Sequence, residues 1–220
     1  MADDIASDHA PVYGTRNVDL GGALGYRLVA ASELAADWCA VAVCTWSAGA
    51  DRDWSVNAGT LEWSCTRTAD HAVDTVLAPA FFLASRKLDG FPKLGGSDFT
   101  VGADATPQDL IEGLATATRI LVAVIEAAEP SARAVIRRLP LVWVAGPQDF
   151  APRGGLELIL HAHDVCCGLR VPFVPPTDVC YRLREHTRSW PMWDGPGNEL
   201  GTGNDPWLDM LVGSGRHPQT

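Results

Sequence analysis

The segment from Gly155 to Leu169 combines a surface that is apolar on nearly every side with a carboxylate and an imidazole at helical spacing. Glu157, His161 and Asp164 follow one another at intervals of four and three residues, so on an α-helix they share one face. The rest of the circumference is covered by Leu156, Leu158, Ile159, Leu160, Ala162, Val165 and Leu169. A buried polar group without a partner costs several kcal/mol. This helix can therefore fold only where other elements surround it and supply partners for its polar face.

A divalent metal ion is one partner that a carboxylate and an imidazole can share, and hydrogen bonding on a wet surface is the alternative. Because an ion at a protein site usually takes three or four ligands, Glu157 and His161 need at least one more. The remaining histidines are His9, His71, His163, His186 and His217. We expect the first and last of these to lie in frayed termini, and His163 to point to the opposite side of its helix. The third ligand is therefore either His71 or His186.

The surroundings of these two histidines favour His71. It lies in an amphipathic run between Trp63 and Leu77, which is typical of a helix with one buried face. His186 lies in the charged segment 181–188, which is typical of a solvated helix face. We therefore predict His71 as the third ligand. Asp164 is predicted to orient His161, or a bound water, by a hydrogen bond without binding the ion itself.

Periodic apolar segments predict four long helices, at about 28–46, 66–86, 107–128 and 155–169, and two short ones at 177–189 and 206–211. Ser64 or Thr66 can cap the second helix, and Thr106 can cap the third. The stretch 134–144 is rich in β-branched residues but includes Pro140, so we expect an extended connector rather than a central strand. The sequence therefore predicts a chain of the all-α class.

The chain resembles the DinB superfamily, in its actinobacterial branch named after mycothiol-dependent maleylpyruvate isomerase. Three motifs carry the resemblance: Trp63-Ser-Cys-x₅-His71, Glu157-x₃-His161-x₂-Asp164 and the closing segment 205–216. It implies a DinB-like four-helix bundle with short additional C-terminal helices, as a single domain over 1–220 with an ordered core at about 28–216. It also implies a divalent metal ion, commonly zinc, held by His71, Glu157 and His161, and a low-molecular-weight, mycothiol-like thiol as cosubstrate.

Composition narrows the classes of partner. The formal net charge is −10, and no cluster of Lys and Arg with interleaved aromatic residues offsets it, so we expect no nucleic-acid partner. Apolar runs such as Ile120–Ile125 are far shorter than the roughly 18–20 residues of a membrane span, so we expect no membrane partner. The first residues lack the pattern of a secretory signal, which predicts a cytoplasmic protein. We expect it to be a monomer or a homodimer.

Cysteine and tryptophan residues supply further candidates. The six cysteines contain no Cys-x₂-Cys pair, so most are predicted to be small core residues, although Cys65 lies near His71 and is a candidate catalytic group. Trp38, Trp54 and Trp63 cluster in the first third of the chain. Large rings of this kind line either a core or a ligand pocket, and we consider all three as candidate substrate-binding residues.

Two hypotheses of function follow from these features. In the first, the chain is a metal-dependent enzyme that uses a thiol for S-transfer to a small electrophilic substrate, or for its thiol-assisted isomerisation. In the second, the same bundle is a non-catalytic metal- or small-molecule-binding or resistance protein. Repeated consumption of thiol distinguishes the first hypothesis from the second, which allows stoichiometric capture alone.

Overall fold

Four long helices pack on one another around a shared apolar core, and two short helices follow them. The structure is a computed structural model that describes residues 20–92, 100–102, 104–137, 142–190, 193, 200 and 203–219, with side chains from residue 31 onward. Within these residues the helices are α1 (Leu20–Ala48), α2 (Cys65–Ser85), α3 (Pro107–Glu126), α4 (Phe150–Leu169), α5 (Thr177–Thr187) and α6 (Pro206–Gly213). Helices α1 and α2 each pack against both α3 and α4. The prediction of a mostly helical chain is confirmed.

The starts of three helices show how local chemistry sets their bounds. Ser64 rather than Thr66 caps α2, because its hydroxyl accepts a hydrogen bond from the Arg67 backbone N–H. Thr106 caps α3 in a reciprocal capping box, in which the Asp109 carboxylate accepts from the Thr106 N–H at 2.8 Å. Helix α4 begins five residues earlier than predicted, since Pro152 falls in its first turn, where no intrahelical N–H donor is needed.

The stretch expected to be an extended connector forms part of a small hairpin. Strands β1 (Ala134–Arg137) and β2 (Trp143–Ala145) pair antiparallel, with Val135 opposite Val144 and an irregularity before Arg137. The Val135 N–H also donates to the Lys87 carbonyl at 2.9 Å, which ties the hairpin to the end of α2. The expectation of a connector was wrong here, and Pro140 lies outside the described residues.

None of the described helices combines the length and the apolar character needed to cross a lipid bilayer.

The contact between α1 and α4 depends on a glycine. A Cβ atom at Gly155 would overlap the indole ring of Trp38, which is fully buried. Trp38 therefore packs directly on the backbone of α4, two residues before Glu157. The preceding residue, Gly154, has more space, because a Cβ there would lie 3.3 Å from the nearest atom, the Thr75 carbonyl oxygen.

These two neighbouring glycines provide a matched test of the packing. Gly155→Ala is expected to lower the free energy of unfolding by about 1–3 kcal/mol, because it overpacks the α1–α4 contact. Gly154→Ala is expected to stay within about 1 kcal/mol of the parent protein, since the gain in helix propensity opposes a mild contact. Urea denaturation followed by circular dichroism measures both. Equal losses in the two variants would contradict the close approach of Trp38 to Gly155.

Candidate metal centre

Helices α2 and α4 bring His71 and His161 together. Their ring centroids lie 5.1 Å apart, with the ring planes at 78°. Two imidazoles that bind one zinc ion at about 2.0–2.1 Å in tetrahedral geometry have centroids roughly 5 Å apart. The spacing of these two rings is therefore the spacing that a shared ion requires.

Glu157 lies one helical turn before His161 and is oriented toward two different partners. Its Oε2 atom lies 3.9 Å from His161 Nε2, and its Oε1 atom accepts a hydrogen bond from Arg153 Nη1. Burial raises the pKa of Glu157, but the charge and hydrogen bond of Arg153 outweigh this effect and hold that pKa below its ordinary value. The carboxylate is therefore ionised at neutral pH, the form that binds a cation.

His71 is neutral at the same pH. Burial lowers the pKa of its imidazole and the neighbouring His161 lowers it further, while Glu157 and Asp74 oppose the shift only in part. A neutral imidazole carries the lone pair that a metal ion needs. The ring of Trp63 lies edge-on to His71, with centroids 5.3 Å apart, and covers one side of it.

Asp164 contacts the other ring nitrogen of His161, and Arg216 in turn binds Asp164. Nδ1 of His161 lies 3.2 Å from Asp164 Oδ2, and Arg216 donates to both carboxylate oxygens, from Nε at 2.9 Å and from Nη2 at 2.7 Å. Burial raises the pKa of Asp164, but the hydrogen bonds from His161 and Arg216 outweigh it and the pKa is lowered. An ionised Asp164 can accept a hydrogen bond from an Nδ1–H group, and the tautomer that carries this N–H keeps its lone pair on Nε2, the nitrogen near Glu157.

The segment that contains Arg216 packs along α4. The carbonyl oxygen of His217 lies 2.9 Å from Nε2 of His163, and the Gln219 side chain bonds both to the Val171 carbonyl and to the Phe173 N–H. The expectation of a frayed segment around His217 is thus corrected: it is held by hydrogen bonds to the C-terminal half of α4 and to the residues after it. The first histidine, His9, lies outside the described residues.

The structure separates the three candidate tryptophans. Trp38 is fully buried against Gly155, and Trp54 is buried with its Nε1 donating to the Gly49 carbonyl at 2.9 Å. Both are core residues in this fold. Trp63 is 43% exposed and is the one that lies beside His71.

Cys65 is a core residue rather than a reactive thiol. Its Sγ lies 3.6 Å from the Val165 carbonyl, and burial raises its pKa to about 11. A thiol held in this environment stays protonated at neutral pH and is a poor nucleophile.

Two cavities flank Glu157, which is the one predicted site residue in the lining of either. One, of about 270 Å³, is lined in part by Asp149, Arg153, His186 and Trp190. His186 was expected on a solvated face, but it is half-buried and its Nε2 lies 3.0 Å from Asp149 Oδ1. The other, of about 400 Å³, is lined in part by Asp74, Thr75, Phe82 and Phe91.

Arg153 and Glu157 lie in the walls of both cavities. Their spacing of four residues was the one signal in the sequence that could have identified Arg153.

The donor set, one carboxylate and two imidazoles, suits a zinc-like ion in its chemistry. Among the described residues, however, no group of three or more His, Cys, Asp or Glu side chains is arranged so that it could hold a metal ion as it stands. Two donor atoms on one tetrahedral zinc ion lie roughly 3.4 Å apart, so the 3.9 Å between Glu157 Oε2 and His161 Nε2 must shorten by about half an ångström.

Comparison of the chain with protein-family models, with curated proteins and with solved structures gave no significant match in any of the three.

Proposed function

We propose that this chain is a divalent-metal-dependent enzyme, with zinc as the ion, that uses a low-molecular-weight, mycothiol-like thiol. The reaction is S-transfer to a small electrophilic substrate or thiol-assisted isomerisation of that substrate, on a DinB-like four-helix bundle. The observation that carries the proposal is the pairing of His71 and His161 at ligand spacing beside an ionised Glu157.

Each residue of the centre has a separate task in this proposal. His71, Glu157 and His161 hold the ion, and Asp164 holds His161 in the tautomer that leaves Nε2 for ligation. A bound divalent cation supplies the positive charge that keeps a thiol ionised at neutral pH, whereas a free thiol ionises near pH 8.5. Trp63 covers the exposed side of His71 and reduces access of bulk water to that ring.

The two cavities support a reaction with two substrates. They meet at the Arg153–Glu157 pair, so molecules bound in both would lie on either side of the same carboxylate. Substrates held on either side of one centre react as if at high local concentration, which is a large part of enzymatic rate enhancement.

Metal content tests the ligand set. Purified chain is expected to bind one zinc ion, and His161→Ala is expected to reduce occupancy below about one tenth, because two remaining protein ligands hold zinc poorly. His163→Ala is the matched control: it changes a histidine on the opposite side of α4 and should retain full occupancy. Native mass spectrometry and elemental analysis measure both. Full occupancy in the His161 variant would exclude the assignment.

Turnover tests the enzymatic part of the proposal. Zinc-loaded protein with excess mycothiol and a panel of small electrophiles, beginning with 1-chloro-2,4-dinitrobenzene, is expected to consume many equivalents of thiol per chain. His161→Ala should consume thiol only at the uncatalysed rate. Capture that stops at one equivalent with every electrophile would identify a non-catalytic binding protein instead.

The role of Asp164 is tested by removing its charge. Asp164→Asn is expected to weaken zinc affinity about 10–100-fold, the usual cost of losing the group that orients a metal-binding histidine. Asp149→Asn is the control, because Asp149 contacts His186 and has no contact with His161. Competition titration against a chelator of known affinity measures both variants. Similar affinities for the two would show that Asp164 is only structural.

A further inference from the structure

The cavity of about 270 Å³ has walls that favour a flat apolar molecule. It lies between the hairpin, the start of α4 and α5, and the half-buried rings of Trp143 and Trp190 face it. Small-molecule sites are commonly lined by aromatic rings with a few polar groups at defined positions. Pockets for drug-sized ligands start at about 300 Å³, so this cavity fits one small ring system rather than a nucleotide or a long chain.

The polar groups of the cavity offer hydrogen-bond donors rather than acceptors. Asp149 contacts His186 through Oδ1 and accepts from the Gly146 N–H through Oδ2. Glu157 contacts Arg153 through one oxygen and lies near His161 with the other. Both carboxylates of this wall therefore already have partners within the protein.

Arg153 retains most of its donors. A guanidinium carries five N–H groups. Within the described residues, the hydrogen bond from Arg153 to Glu157 uses Nη1 alone. Its side chain is 31% exposed and lines the cavity, and Arg137 is a second arginine among the lining residues. The planar fork of an arginine matches a carboxylate, which it binds through two parallel hydrogen bonds.

We infer that this cavity binds a small aromatic carboxylate, with its ring between Trp143 and Trp190 and its carboxylate on Arg153. Glu157 lies both in the wall of this cavity and among the proposed metal ligands, so we expect the bound carboxylate to be a substrate. That one point rests on the proposed function. Binding itself requires no metal ion.

Isothermal titration of the full chain with two matched probes tests the inference. 2-Naphthoate is expected to bind with one-to-one stoichiometry and at least about tenfold more tightly than the neutral isostere 2-naphthamide, since a hydrogen bond to a charged group is worth about that factor. Equal affinities, or no binding of either probe, would overturn the inference. This comparison uses the unmodified protein, so it does not depend on the folding of any variant.

Substitutions then locate the carboxylate. Arg153→Gln is expected to remove the preference for naphthoate and to leave the naphthamide affinity unchanged. Arg182→Gln is the matched control, because Arg182 is an arginine of α5 that pairs with Asp37 and Asp178. Trp190→Ala should weaken both probes alike, since it removes ring contact without changing charge.

A double variant separates loss of the donor from release of a repelling charge. Arg153→Gln alone leaves Glu157 without its partner, and that carboxylate would itself repel an anion. Arg153→Gln with Glu157→Gln removes the repulsion, and we expect the preference for naphthoate to remain absent. A preference restored in the double variant would exclude Arg153 as the carboxylate-binding group.

The titrations are run with one equivalent of zinc and again with a chelator. Naphthoate preference in both conditions, in a protein that holds no zinc, would support the cavity inference and contradict the proposed function. One zinc ion per chain without a preference for naphthoate would support the proposed metal site and contradict the cavity inference. The two failures are thus distinguishable.

Discussion

Burial of α4 is the constraint on which the rest of the structure depends. This helix lies against three other long helices, so each polar side chain on it must find a partner within the protein. Arg153 satisfies Glu157 from within the helix, whereas Asp164 is satisfied by Arg216 from the last described segment. His163 contacts the backbone of that same segment. These partnerships fix the position of His161, whose ring lies beside that of His71.

The positions of the long helices could be predicted from the sequence because their signals are local. Apolar periodicity and the Thr106 cap depend on residues within a few positions of one another. The hairpin could not be predicted in the same way, since Val135 and Val144 pair across a turn and are held by the end of α2. The start of α4 was missed because Pro152 and the following glycines resemble a loop when read without tertiary packing.

In the candidate site, too, the residues with local sequence signals could be predicted and those brought together only by folding could not. His71 could be selected because few histidines competed with it, and Glu157 and His161 because they share one turn of helix. Arg216 could not be assigned a role, since 52 residues separate it from Asp164 and only folding brings them together. The prediction that Trp38 and Trp54 bind substrate was wrong, because the sequence does not distinguish an indole in a core from one in a binding site. Gly155 now explains where the ring of Trp38 lies.

The Arg153–Glu157 pair would couple an anion in the cavity of about 270 Å³ to a cation held between Glu157 and His161. A ligand that draws Arg153 toward itself leaves more negative charge on Glu157, and so strengthens whatever cation that carboxylate faces on the side of His161. By reciprocity, a cation there would loosen the hold of Glu157 on Arg153 and raise the affinity of that cavity for an anion by the same factor. Cooperativity between two different ligands thus requires no movement of the helices, only the redistribution of one ion pair.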